Sequence, residues 1–151
     1  MSLFEIVKFV HILSAIVAVG FNLSYGVLTS RSAKEPEHEL HVLRTIKVLD
    51  QRFANVGYGI LLATGIWMIL ITPYELTELW ILLGIGLYTL ATLIGIIVYA
   101  PLIRRQLAIL QAEGPGSAGY RHLTERAKRL GVTLSLMVIV IVFLMVTKPT
   151  L

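Results

Sequence analysis

The sequence predicts an all-α protein, a four-helix transmembrane up-down bundle with both termini outside and long helical extensions into the cytoplasm. Three observations carry that expectation. First, 56% of the 151 residues are hydrophobic and only 15% charged. A soluble domain of this length keeps too much of its surface in water to hide so much apolar area. Second, four runs free of Asp, Glu, Lys and Arg, at 9–30, 53–74, 79–103 and 130–147, meet or approach the length that crosses hydrocarbon. Third, the basic residues sit between those runs. Arg31, Lys34, Arg44, Lys47 and Arg52 occupy one connecting segment, and Arg104, Arg105, Arg121, Arg126, Lys128 and Arg129 another; the link between the second and third runs holds only Glu75 and Glu78. Lys and Arg stay on the cytoplasmic side of a membrane, so both termini are expected outside.

Composition also sets limits. No cysteine is present, which excludes disulfides, thiolate metal sites and cysteine nucleophiles. A net charge of +4 would suggest nucleic acid in a soluble protein. Here its distribution follows membrane topology, and no nucleic-acid partner is expected. The first run is too long for a signal peptide, lacks an A-x-A-like site and carries polar residues inside, so it reads as a span. The whole chain reads as one membrane domain over 1–151, with spans at about 4–28, 53–72, 77–101 and 129–147. The expected location is a bacterial inner membrane, with the lipid bilayer as the main partner.

The first helix runs inward and carries Lys8, His11, Ala15, Ala18, Asn22 and Tyr25 on one stripe, at alternating spacings of three and four. Segment 31–52 reads as an amphipathic helix started by Pro36, a good first-turn residue, and continuing into the second span to about Thr72. Gly57, Gly59 and Gly65 in that span mark close packing or room for a bulky ligand. Helix three carries Trp80, Gly84, Gly86, Tyr88, Gly95 and Tyr99, with a kink expected at Pro101. Glu113-Gly114-Pro115-Gly116-Ser117 is the clearest loop. Helix four follows from about Tyr120, and Lys148-Pro149 ends it. Trp67, Trp80 and Tyr74 suit the outer aromatic belt.

His11 is the residue with chemistry to explain. An imidazole inside hydrocarbon needs a hydrogen bond, a counter-charge, a metal or a haem iron. Counting inward from each outer end places Thr64, Gly65 and Met68 of helix two at its level. Helix three adds Gly84 and Tyr88, and helix four adds Met137, Val140 and Ile141. One imidazole, glycines that make space and two thioethers suit a b-type haem pocket. The alternatives are a buried histidine donating to a neighbouring helix, and a proton relay. His38 and His41, three apart, could clamp a metal from one helical face, though a solvated surface face explains them too. No dinucleotide fingerprint, P-loop, H-E-x-x-H or G-x-S-x-G is present, so any reaction would belong to a bound cofactor.

Three stretches carry a resemblance: Lys8-Phe9-Val10-His11, Asp50-Gln51-Arg52-Phe53 leading to Thr64-Gly65-Ile66, and the apolar 138–146 closed by Lys148-Pro149. On these the chain resembles the bacterial integral membrane family called domain of unknown function 2269. More distantly it is similar to the haem-binding membrane protoporphyrinogen oxidase and to copper-resistance D type proteins. The likeness to the oxidase implies His11 as a haem ligand. The lysine which that family carries shortly after a Trp early in helix three falls here on Gly84, and helix three has no lysine.

The expectation is an inner-membrane b-type haem protein working in electron transfer or in haem or porphyrin handling; if it is an enzyme, it is a haem-dependent membrane oxidoreductase. His11 is the expected axial ligand and metal-binding residue, with Met68, Tyr88, Met137, Gly65, Gly84, Asn22 and Arg52 around the cofactor. A copper(I) path through His11, Asn22 and the methionines, and a structural membrane subunit without cofactor, are the alternatives. Ser14-xxx-Ala18 and Ala91-xxx-Gly95 would suit a homodimer, and a redox partner in the membrane is compatible with the same reading.

Overall fold

The computed structural model describes residues 2–149. Among them run four continuous helices, α1 (Leu3–Ser32), α2 (Pro36–Ile71), α3 (Leu79–Glu113) and α4 (Ala118–Thr147), with no strand. Each is long and apolar enough to cross a membrane. Their outward faces are those of a protein solvated by lipid: Leu70 is 78% exposed, Val146 76% and Val27 69%.

Local chemistry sets the ends. Ser2 and Glu5 form a reciprocal capping box that starts α1, their bonds measuring 2.7 and 3.3 Å. Pro36 opens α2 with a 3-10 turn, Pro36–His38. Gly114, at φ 80°, halts α3 in a conformation that glycine adopts freely. The Ser117 hydroxyl then accepts from the Tyr120 amide and caps α4. The first helix runs through Ser32, beyond the expected end near residue 28, because nothing breaks it before Pro36. Helix three starts at Leu79 instead of near 77, since Pro73 and the Glu75–Glu78 backbone turn hold the preceding chain out of the helix.

Two of the helices widen once. A π-helical turn occupies Asp50–Ala54 of α2, and another occupies Gly95–Tyr99 of α3. The second lies just ahead of Pro101, which has no N–H for the carbonyl one turn earlier. The ladder readjusts there, and α3 continues as a single element through the proline.

The helices pack as two antiparallel pairs, α1 with α2 and α3 with α4; α1 and α4 join the pairs within the bundle, as do the extensions of α2 and α3 beyond it. One end carries both termini and the 72–78 turn. There Lys148 Nζ bonds the Tyr74 hydroxyl and lies 5.1 Å from the Trp80 ring centroid. Tyr74 and Trp80 meet edge to face at 5.3 Å, so the Lys-Pro ending is stapled to the opposite turn. The other end carries the basic extensions.

On α1 the inward stripe is Val7, Ser14, Ala18, Tyr25 and Ser32, with His11 and Asn22 half-buried between them. Lys8 is exposed and Ser14 takes the contact expected of Ala15. The Ser14/Ala18 pair is spent inside the chain. A Cβ on Gly57 would lie 3.3 Å from Ala18 Cβ and 3.4 Å from the Ser14 carbonyl oxygen, neither of which can swing aside. Gly57→Leu is therefore expected to force α1 and α2 apart and to destabilise by about 1–3 kcal/mol or more. Thermal unfolding in detergent checks this: the midpoint falls for Gly57→Leu and stays near wild type for Gly59→Leu, whose Cβ would meet open space.

At the basic end a small soluble-style core forms from Leu43, Leu110 and Tyr120, with Leu40, Leu107 and Ile109 against it. Gln106, 3% exposed, donates to the Thr124 hydroxyl at 2.9 Å. Burial, and then the neighbouring Glu39 carboxylate, push the Tyr120 phenol from 10.0 up to about 12. The folded protein thus holds that proton more tightly than the unfolded chain does. The linked stability is complete below pH 10.0 and is lost as pH rises toward about 12. Unfolding followed against pH should show an alkaline loss of stability in this range that Tyr120→Phe reduces.

Candidate functional site

His11 faces α2. Its Nδ1 lies 2.8 Å from Thr64 Oγ1. The Thr64 hydroxyl donates its hydrogen to the Ile60 carbonyl at 2.6 Å. Its remaining capacity is as an acceptor, which assigns Nδ1 as the N–H nitrogen and leaves the Nε2 lone pair free. Gly65 makes the approach feasible, since a Cβ there would sit 3.3 Å from His11 Cε1. Met68 lies one turn beyond Thr64, half-buried. Thr64 and Gly65, two of the residues expected at the level of His11 on helix two, lie beside it.

Other expected members lie elsewhere. Gly84 is buried on α3, and the thioether that packs on it belongs to Met145. Met137, expected at that level, lies roughly 12 Å along α4 from Met145, because Gly84 stands near the outer start of α3 and meets the last turns of α4. Tyr88 donates to the Tyr58 carbonyl at 2.9 Å, and Asn22 donates to the Tyr58 hydroxyl and to the Ala18 carbonyl. These bonds tie α1, α2 and α3 together in mid-bundle, roughly 16 Å along α1 from His11 in the case of Asn22. Arg52 is exposed on the π turn, roughly 18 Å along α2 from Thr64. It borders an apolar groove of about 220 Å³ between α1 and α2, lined by Leu13, Val17, Phe53 and Ile60.

Toward the basic half lie residues that the sequence reading placed outside the haem site. Asp50, half-buried, opens the π turn of α2 and accepts from the Asn55 amide at 3.4 Å, and the buried Tyr25 hydroxyl has no hydrogen-bond partner. The stripe through Tyr25 and the motif containing Asp50 were each visible. The π turn at Asp50–Ala54 was not, since a 3.6-residue period does not announce it. His38, on the exposed extension, pairs with Glu35 at 3.3 Å and Glu37 at 3.8 Å. Among the described residues no group of three or more His, Asp or Glu could hold a metal ion.

The donor set bears on what the site could hold. A free metal ion needs several protein ligands, and among the described residues His11 belongs to no group of three or more His, Asp or Glu. A haem brings its own equatorial nitrogens and asks the protein for one or two axial groups. An imidazole with Nδ1 fixed by a hydroxyl and Nε2 free meets that requirement.

Four membrane-length helices with polar groups bonded across the bundle define an integral membrane protein. The chain belongs to a family of predicted integral membrane proteins, DUF2269, which matches residues 5–149. No curated protein and no solved structure matches it. The match bears out the first resemblance drawn from the sequence and does not extend to the oxidase or the copper-resistance proteins.

Proposed function

We propose that this is a b-type haem protein of the bacterial inner membrane, serving electron transfer or haem and porphyrin handling, with His11 Nε2 as an axial ligand. The observation that supports it most is the 2.8 Å contact of His11 Nδ1 with Thr64, which leaves Nε2 free. In that role Thr64 holds the tautomer and the ring orientation, and Gly65 gives the ring room. When bound, haem supplies one-electron chemistry; the protein supplies an anchoring imidazole and an apolar surround that excludes water. The test is purification with ample haem followed by absorption spectroscopy of wild type and His11→Ala. Loss of the Soret band in the variant supports the assignment, and equal haem content in the two overturns it.

The orientation belongs to the same proposal. The basic extensions face the cytoplasm and both termini face outward, on the positive-inside bias. With no native cysteine, single-cysteine variants report this cleanly. In intact cells a membrane-impermeant maleimide should label Thr77→Cys and spare Gly116→Cys; the opposite pattern overturns the orientation.

A further inference from the structure

The groove between α1 and α2 plays no part in holding haem, and its two ends differ in chemistry. It measures about 220 Å³. Leu13 and Val17 line it from α1, and Val56 and Ile60 from α2, with the buried Ser14 and Gly57 between them. Gly57 brings the two backbones close there, so the neighbouring side chains stand as walls. Leu13, Val56 and Ile60 are exposed, which opens the groove sideways to the acyl chains around the bundle. At one end Phe53 meets Phe21, ring centroids 5.4 Å apart. Arg52 lines that same end.

Arg52 is the last cation before the uncharged run 53–74, where headgroups give way to hydrocarbon. It is exposed and forms no ion pair among the described residues. Asp50, two residues away, instead accepts from the Asn55 amide at 3.4 Å. The π turn Asp50–Ala54 carries both Arg52 and Phe53, and such turns occur often at functional sites. From Arg52 to Ile60 the groove follows α2 into the span for roughly 12 Å. Its occupant therefore carries an anion at one end and an apolar chain along the rest. A guanidinium holds phosphate oxygens bidentately, and basic pockets between membrane helices hold anionic headgroups. A helix from a second copy would cover the walls, but the four apolar runs contain no Asp or Glu to meet Arg52.

We infer that the α1/α2 groove is a binding site for an anionic phospholipid, one acyl chain lying along Leu13, Val17, Val56 and Ile60 and the phosphate on Arg52. The probe is tritiated phosphatidylglycerol, bound at equilibrium to the full chain in neutral detergent. Phosphatidylcholine with the same acyl chains is the comparison, since its ammonium offsets the phosphate charge. Phosphatidylglycerol should saturate at one per chain and bind roughly tenfold more tightly than phosphatidylcholine, as a charge-assisted partner implies. Arg52→Gln should abolish that preference. Arg44→Gln removes the same charge from an exposed position outside the groove and should preserve it. Val56→Trp, which fills the groove, should weaken both lipids several-fold. Equal affinity of the two lipids for wild type overturns the inference, as does a preference that survives Arg52→Gln or falls equally in Arg44→Gln. Should Arg52→Gln fail to fold, Val56→Trp decides: undiminished phosphatidylglycerol binding overturns the site. A homodimer by light scattering that binds no lipid and that Val56→Trp dissociates overturns it in favour of a second copy.

Discussion

His11→Ala is expected to lower haem affinity by at least about 100-fold, since even the outer partners of a ligand are commonly worth 10–100-fold. The size of the effect follows from how little else is available. His11 is the one histidine in the four apolar runs; His38, His41 and His122 all lie in the basic extensions. Among the described residues no group of three or more His, Asp or Glu could hold a metal in its place. Free imidazole added to the variant should restore part of the spectrum, because the alanine leaves a space of the ring's size beside Gly65. His11→Ala also strips the donor from Thr64, so some loss of thermal stability is expected in the same variant. Thermal unfolding without haem measures that loss apart from the ligand effect.

Thr64→Val should lower haem affinity by about 10–100-fold while leaving His11 in place. Valine keeps the shape of threonine and removes the oxygen that accepts from Nδ1. The ring then loses its fixed tautomer, and a half-buried N–H loses its partner at a cost of about 1–3 kcal/mol. Thr64 acts here through His11, so affinity alone would not distinguish positioning from general damage. The distinguishing readout is the midpoint potential of the haem that still binds. It should shift in Thr64→Val, because the imidazole's basicity has changed, and return toward wild type in Thr64→Ser, which restores the hydroxyl. An unshifted potential in Thr64→Val would remove Thr64 from the role.

Much of this architecture was legible because hydrocarbon demands long uninterrupted apolar helices, and the four runs state their own ends. Pro36, Gly114 and Ser117 punctuate the extensions by local chemistry that depends on no partner. The neighbours of His11 on helix two were also readable, since depth along a regular helix is a matter of counting. Counting failed where regularity failed. Met145, not Met137, meets Gly84, because the last turns of α4 are drawn to the start of α3 by Lys148 on Tyr74 and Trp80. The two π turns, Asp50–Ala54 and Gly95–Tyr99, were hidden too, since a 3.6-residue period does not announce them. Ser14 and Ala18 read as a surface for a second copy, and which surface they meet depends on Gly57 of a distant segment. That is information of the fold and not of any one helix.

The central claim is that His11 offers a free Nε2 to haem, and titration of haem into the purified wild-type protein tests it most directly. The protein in detergent or nanodiscs should develop a Soret band that saturates at one haem per chain. A wild-type protein that stays colourless, or that gains only the spectrum of haem dissolved in detergent, would contradict the claim.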